Sequence, residues 1–136
     1  MNAATQELEA SQLASVDKSA APRSEAELLE AAHRVAAIAA QHADAVDKEA
    51  RFPAEAIAAM REARLFSAMV PVIHGGDGLS ITSVARLCEA LAKGCASSAM
   101  IYAMHQSQVV CIVDHGVAVP SQRDFPANAC VSCAPR

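Results

Sequence analysis

The stretch best suited to chemistry by its residue types is glycine-rich: His74-Gly75-Gly76-Asp77-Gly78. A phosphate-binding loop would follow the pattern G-x-x-x-x-G-K-[ST], or G-x-G-x-x-G after a strand. Here no lysine follows, and the carboxylate of Asp77 would repel a phosphate. Three glycines in four positions instead allow backbone angles that are closed to other residues. We therefore interpret the stretch as a tight turn between an extended segment and a helix.

Cysteine offers a second candidate site, because Cys130 and Cys133 form a C-x-x-C pair. A zinc site needs four ligands, and the sequence has no second pair. A thioredoxin-type site would need a βαβ context, which is missing. We therefore interpret the pair as coincidental. Residues 1–23 contain no apolar segment of signal-peptide type, so we expect the five cysteines to be free thiols and the protein to be cytoplasmic.

None of the five histidines forms the i, i+4 pair of a helical metal site, and no G-x-S-x-G nucleophile elbow is present. We expect no metal site. His42 falls on an apolar stripe and is interpreted as a packing residue. His105 is a better candidate for function because it lies in a long uncharged stretch.

The composition predicts an all-α fold. The 136 residues suit one domain, and 32 of them are alanine, a strong helix former. With one Tyr, three Phe and no Trp, the chain is poor in the residues that build β-sandwiches and barrels. A formal net charge of −4 lacks the basic footprint of a nucleic-acid-binding protein.

Local signals place about four helices between two tails. Residues 1–23 read as a disordered N-terminal tail, and the aperiodic, proline-containing residues 117–136 as an unstructured one. Ser24 and Glu27 form a capping box that opens the first helix, which we expect to end near Lys48. Pro53 suits the first position of a second helix. A third helix begins at Ser80 or Thr82 and stops at Lys93-Gly94.

The fourth helix lies in residues 94–113, which contain no Asp, Glu, Lys or Arg. Its length invites a transmembrane interpretation. We reject it because His105, Gln106, Ser107 and Gln108 cluster in the middle of the stretch, where polar side chains are most costly to place in a lipid bilayer. A helix that is apolar nearly all round needs cover on most sides, and three small helices can hardly supply it. The chain therefore looks like part of something larger.

Several segments, in their order and spacing, resemble the N-terminal helical domain of the acyl-CoA dehydrogenases. The likeness covers roughly residues 24–116. It is carried by Phe52-Pro53, by Leu65-Phe66, by residues 70–80 with the glycine-rich turn, by residues 89–100, and by the Ala103-Met104-His105 step.

The resemblance implies an FAD-dependent enzyme that removes two hydrogens from the α and β carbons of an acyl-CoA. An electron-transferring flavoprotein reoxidises the flavin in that family, and the enzymes are homo-oligomers. By matching position, four residues would face substrate or flavin: Ala99, Met100, Ala103 and Met104. Plain core packing remains the alternative for each of them. Related flavin-dependent monooxygenases share the domain, and there His105 could touch flavin or substrate.

The resemblance also implies a shortfall, because the family's β domain and C-terminal domain hold nearly all the FAD contacts and the catalytic base. We expect that a frameshift or premature stop has truncated the reading frame after Gly116. On that expectation the chain alone retains no FAD and no catalytic residue. The alternative is a helical interaction module that completes a separately encoded flavoprotein.

Overall fold

The computed structural model describes residues 21–115, and within that range the secondary structure is helical, as the composition predicts. Four α-helices follow one another: α1 (Glu25–Glu49), α2 (Ala54–Glu62), α3 (Ile81–Ala92) and α4 (Ala96–His115). Two single 3₁₀ turns, Leu65–Ser67 and Val72–His74, separate α2 from α3. The predicted pair Cys130 and Cys133 lies outside the described residues.

The capping box at the start of α1 is confirmed. The Ser24 hydroxyl accepts a hydrogen bond from the backbone N–H of Glu27, and the Glu27 carboxylate accepts one from the backbone N–H of Ser24, at 2.8 Å. These two bonds satisfy donors that a helix start leaves unpaired. The helix ends at Ala50, which is in the left-handed region with φ 48°, one residue or two beyond the predicted end.

One local prediction needs correction. Pro53 is the N-cap of α2 rather than its first helical residue, so the helix begins one position later than the proline signal suggests. For residues 69–72 we expect an extended or loop segment, because the residue before a proline avoids the helical region. The chain there is irregular up to Pro71, and the second 3₁₀ turn begins at Val72.

The helix α3 lies at the centre of the packing, because it contacts both α1 and α4 while α1 also packs on α2. It is capped by Ser80, whose hydroxyl accepts from the N–H of Ser83, and it ends at Lys93, as predicted. All four helices and the first 3₁₀ turn contribute to one core. Its fully enclosed large side chains are Leu28, Met60, Leu65, Leu87, Leu91 and Tyr102.

Candidate functional site

The four residues predicted to face substrate do not lie together. Ala99 is 6% exposed and packs in the main core. Met100 and Met104 are 63% and 56% exposed, and Ala103 between them is partly exposed. On a helix of 3.6 residues per turn these three positions share one side, so α4 presents a methionine-rich outer face made of Met100, Ala103 and Met104.

The outer face continues at its N-terminal end into an open cleft of about 780 Å³. The end of α1, the link to α2 and the first turns of α4 line it. Phe52, 61% exposed, lines the cleft together with Met100. Two large, exposed apolar side chains in an open cleft are suited to contact with an apolar ligand group.

The arginine of this cleft is already paired. Arg51 donates from Nη1 to the Glu55 carboxylate at 2.9 Å and lies 3.7 Å from Glu49. The hydrogen bond from Arg51 holds the pKa of Glu55 below its usual value, so the carboxylate stays ionised and keeps its partner. Arg51 is therefore not a free cation for a phosphate.

The glycine-rich turn is not a phosphate cradle, which confirms the structural interpretation. Backbone N–H groups of residues 75–79 all donate to carbonyls of residues 67–72, for example Gly78 to Val70 at 2.9 Å and Leu79 to Ala68 at 2.8 Å. A Cβ on Gly76 would overlap the backbone of Val70, so the turn requires glycine there. A loop whose donors are used internally has none left for an anion.

Asp77 binds a cation within the fold rather than repelling an anion. Its carboxylate is 6% exposed and accepts two bonds from the Arg23 guanidinium, at 2.7 and 3.0 Å. Arg23, the last residue of the predicted tail, also donates to the carbonyls of Ala63 and Arg64. The pair thus joins the start of α1, the end of α2 and the glycine turn.

His105 packs against Phe66, away from the methionines. The two rings are arranged edge to face with their centroids 4.8 Å apart. His105 Nε2 lies 3.3 Å from the Phe66 carbonyl oxygen. Burial lowers the pKa of His105, which favours the neutral imidazole.

Sequence reasoning missed two polar residues that fix α4. Tyr102 Oη donates to the Leu65 carbonyl at 3.2 Å, and Gln106 Nε2 donates to the carbonyls of Leu65 and Phe66, at 3.3 and 3.1 Å. Burial raises the pKa of Tyr102, so its hydroxyl remains a donor. The available signal was their i, i+4 spacing within a stretch that contains no charged residue.

Comparison of the sequence with known proteins shows which family the chain resembles. Residues 22–126 match the family model described as the N-terminal domain of acyl-CoA dehydrogenase. The chain is 36% identical over 63 residues to YdbM of Bacillus subtilis (strain 168), named as a candidate acyl-CoA dehydrogenase; the match covers 46% of this chain and 16% of YdbM. It is 30% identical over 81 residues to cyclohex-1-ene-1-carbonyl-CoA dehydrogenase of Syntrophus aciditrophicus (strain SB), covering 60% and 20% of the two chains.

Because the family model matches most of its length, the chain belongs to the acyl-CoA dehydrogenase family, as an N-terminal helical domain. The matched parts span a fifth or less of these two curated relatives. No solved structure matches the chain. Among the described helices, none combines the length and apolar character needed to cross a membrane.

Neither the glycine-rich turn nor the arginine of the cleft fits the pyrophosphate of FAD. A flavin dinucleotide carries a pyrophosphate, which requires unpaired cations or backbone donors. In residues 21–115 the glycine turn uses its donors internally, and the arginine lining the cleft is paired with Glu55. The cleft also contains the carboxylate residue Asp47.

Proposed function

We propose that this chain supplies the acyl-chain wall of an acyl-CoA dehydrogenase and does no redox chemistry alone. The observation that carries the proposal is the methionine-rich outer face of α4. It lies within 20 uncharged residues, and its side chains are exposed in a domain of this family. The wall would consist of Met100, Ala103 and Met104, with Ala99 supporting it from the core.

Thioether side chains suit such a wall. Methionine is unbranched and polarizable, so it can adapt its shape to an acyl chain while excluding water from the chain. Phe52, which lines the same cleft as Met100, would add to the apolar surface. The wall's part is to bind and orient the acyl chain, and the reacting groups would come from outside residues 21–115.

The remaining assignments of this proposal follow the family. The substrate would be an acyl-CoA, the redox cofactor FAD, the electron acceptor an electron-transferring flavoprotein, and the full enzyme a homo-oligomer in the cytoplasm. The cyclohex-1-ene-1-carbonyl-CoA dehydrogenase similarity supports a CoA thioester as the substrate class. A monooxygenase function, in which His105 would touch flavin or substrate, is less well supported than a dehydrogenase function, because the His105 ring packs on Phe66.

Photolabelling tests the wall. The full chain is irradiated with an acyl-CoA that carries a diazirine on its acyl chain, and labelled residues are mapped by mass spectrometry. We expect labels on Met100, Ala103 and Met104, which excess unlabelled acyl-CoA prevents and free CoA does not. A Met100→Gln/Met104→Gln variant should lose them.

Ile73→Gln provides the matched control. Ile73 is an even more exposed apolar residue and lies in the second 3₁₀ turn, outside α4. Its replacement should leave the labelling unchanged. Labels spread over Ile73 and other exposed apolar residues, insensitive to the methionine changes, would contradict the wall.

The same exposed face favours one alternative function, a helical interaction module that a separately encoded flavoprotein covers. Co-purification with a flavin-containing partner, abolished by the double glutamine variant, would support the module. Photolabelling that persists unchanged in the presence of that partner would favour the acyl wall.

A further inference from the structure

The inner side of α4 is tied to the rest of the domain by polar bonds to two consecutive carbonyls. Tyr102 and Gln106, one turn apart, donate three hydrogen bonds to the carbonyls of Leu65 and Phe66 in the first 3₁₀ turn. Both side chains are buried, Tyr102 completely and Gln106 to 2% exposure. We call these three bonds the carbonyl clamp.

The clamp lies opposite the methionine-rich outer face. Tyr102 follows Met100 by two positions, and Gln106 follows Met104 by two positions. Two residues correspond to about 200° of rotation on an α-helix. Because the carbonyl clamp holds Tyr102 and Gln106 inward, Met100 and Met104 point outward.

Apolar burial alone specifies the rotation of α4 poorly. Apolar residues are spread almost evenly around this helix, whereas those of α3 are concentrated on one side. Several rotations would bury similar apolar area, because no charged residue lies between positions 94 and 113 to oppose them. A buried polar contact with directional geometry can select one of them, as a buried polar residue selects register in a coiled coil.

Gln106 is better suited to this selective role than to stabilising the core. Its Nε2 is bonded twice, but its Oε1 is buried without a hydrogen-bond partner among the described residues. A buried acceptor left unpaired costs free energy, and an apolar side chain of similar size would avoid that cost. What the glutamine adds is a pair of directional hydrogen bonds, which can favour one rotation of α4 over others.

We propose that Gln106, assisted by Tyr102, is a positioning residue that fixes the rotation of α4 and thereby presents Met100 and Met104 on the outer face. The functional meaning of this proposal rests on the proposed acyl wall, but the rotation of α4 is a property of this chain. Gln106 acts through the two methionines and does not itself touch the substrate.

The test replaces Gln106 by leucine in the full chain and maps side-chain accessibility. Peroxide oxidation of Met100 and Met104 and thiol labelling of Cys95 and Cys111 are measured residue by residue with mass spectrometry. Cys95 is buried and Cys111 is exposed, so one thiol reports the exposure of a buried group and the other the covering of an exposed group.

In Gln106→Leu we expect helicity to be retained while methionine oxidation falls several-fold and Cys95 labelling rises several-fold. A purely structural loss would raise all reactivities together. Gln108→Leu is the matched control, because Gln108 is exposed on the same helix and its replacement should change nothing. An unchanged pattern in Gln106→Leu would overturn the proposal.

Tyr102→Phe keeps the proposal testable if Gln106→Leu fails to fold. It removes only the hydroxyl bond to Leu65 and should shift the same reactivities in the same direction by a smaller factor. The proposal would be overturned if Gln106→Leu were unfolded while Tyr102→Phe folded with wild-type reactivities. The carbonyl clamp would then contribute only to stability. None of these readouts uses acyl-CoA, so their failure is distinct from failure of the acyl wall.

Discussion

Asp77 illustrates how a residue's partner decides its role. In sequence its carboxylate, within a glycine-rich stretch, counts against phosphate binding. In the structure it accepts two bonds from Arg23, and its side chain is almost completely buried. Removing one partner of a buried ion pair leaves an uncompensated charge, so the cost exceeds the net value of the pair.

We predict that Asp77→Asn lowers the free energy of unfolding by about 3 kcal/mol, because Arg23 would remain partly buried without its counter-charge. Urea denaturation of the full chain followed by circular dichroism measures the change. Asp44→Asn is the control, since Asp44 pairs with Lys48 on an exposed helix face. There we expect a loss below about 1 kcal/mol. Equal losses in both variants would contradict the role of the buried pair.

His105 should make the fold sensitive to mild acid. Burial lowers its pKa in the folded chain, so between the folded and unfolded pKa values the unfolded state binds more protons. Stability from the neutral ring is therefore fully present above an unfolded pKa of about 6.5 and is lost as the pH falls towards the folded pKa. The free energy of unfolding should be lower at about pH 5.5 than at about pH 7.5.

The contribution of His105 is isolated by replacement with glutamine, which does not titrate. We expect His105→Gln to show a smaller change in unfolding free energy between the two pH values than the wild-type chain. His33→Gln removes an exposed histidine from α1 and should retain the wild-type change. A wild-type pH response in His105→Gln would contradict the prediction.

At the scale of elements, close approach of helices depends on small residues. Gly94, in the link between α3 and α4, lies against the backbone of Ala36 in α1. A Cβ at position 94 would overlap the Ala36 carbonyl, and backbone on both sides leaves little room for adjustment. The glycine therefore lets this link pack on α1.

We predict that Gly94→Ala destabilises the chain by about 1–3 kcal/mol, the usual cost of overpacking. Thermal unfolding by circular dichroism is the measurement. Lys93→Ala, at the exposed neighbouring position, is the control and should change stability little. If Gly94→Ala matched the control, the approach of the link to Ala36 would be looser than the structure shows.

At the scale of the whole molecule, two polar features of the described residues already use their donors within the fold. The N–H groups of the glycine turn donate internally, and the cleft arginine is paired with Glu55. We predict that the purified 136-residue chain, mixed with excess FAD and passed through gel filtration, elutes without flavin absorbance. A flavoprotein of known FAD content, treated in the same way, is the positive control. Stoichiometric flavin in the wild-type peak would contradict the prediction.

Much of the helical framework follows from local sequence. The capping box, the Ser80 cap and the Lys93-Gly94 stop each depend on residues within one turn, so their positions could be predicted from the chain alone. Pro53 was misplaced by one residue because a proline is accepted at several positions around a helix start. The family likeness, confirmed by the match over residues 22–126, also depends on local motifs in order.

Only the tertiary structure decided which side of α4 faces inward. In sequence the helix is apolar nearly all round, so Ala99, Met100, Ala103 and Met104 were equivalent candidates. Packing separates Ala99 into the core, and hydrogen bonds from Tyr102 and Gln106 to distant carbonyls accompany that choice. These bonds, like the ion pair between Arg23 and Asp77, join residues about 40 or more positions apart, and periodicity within one helix carries no information about such partners.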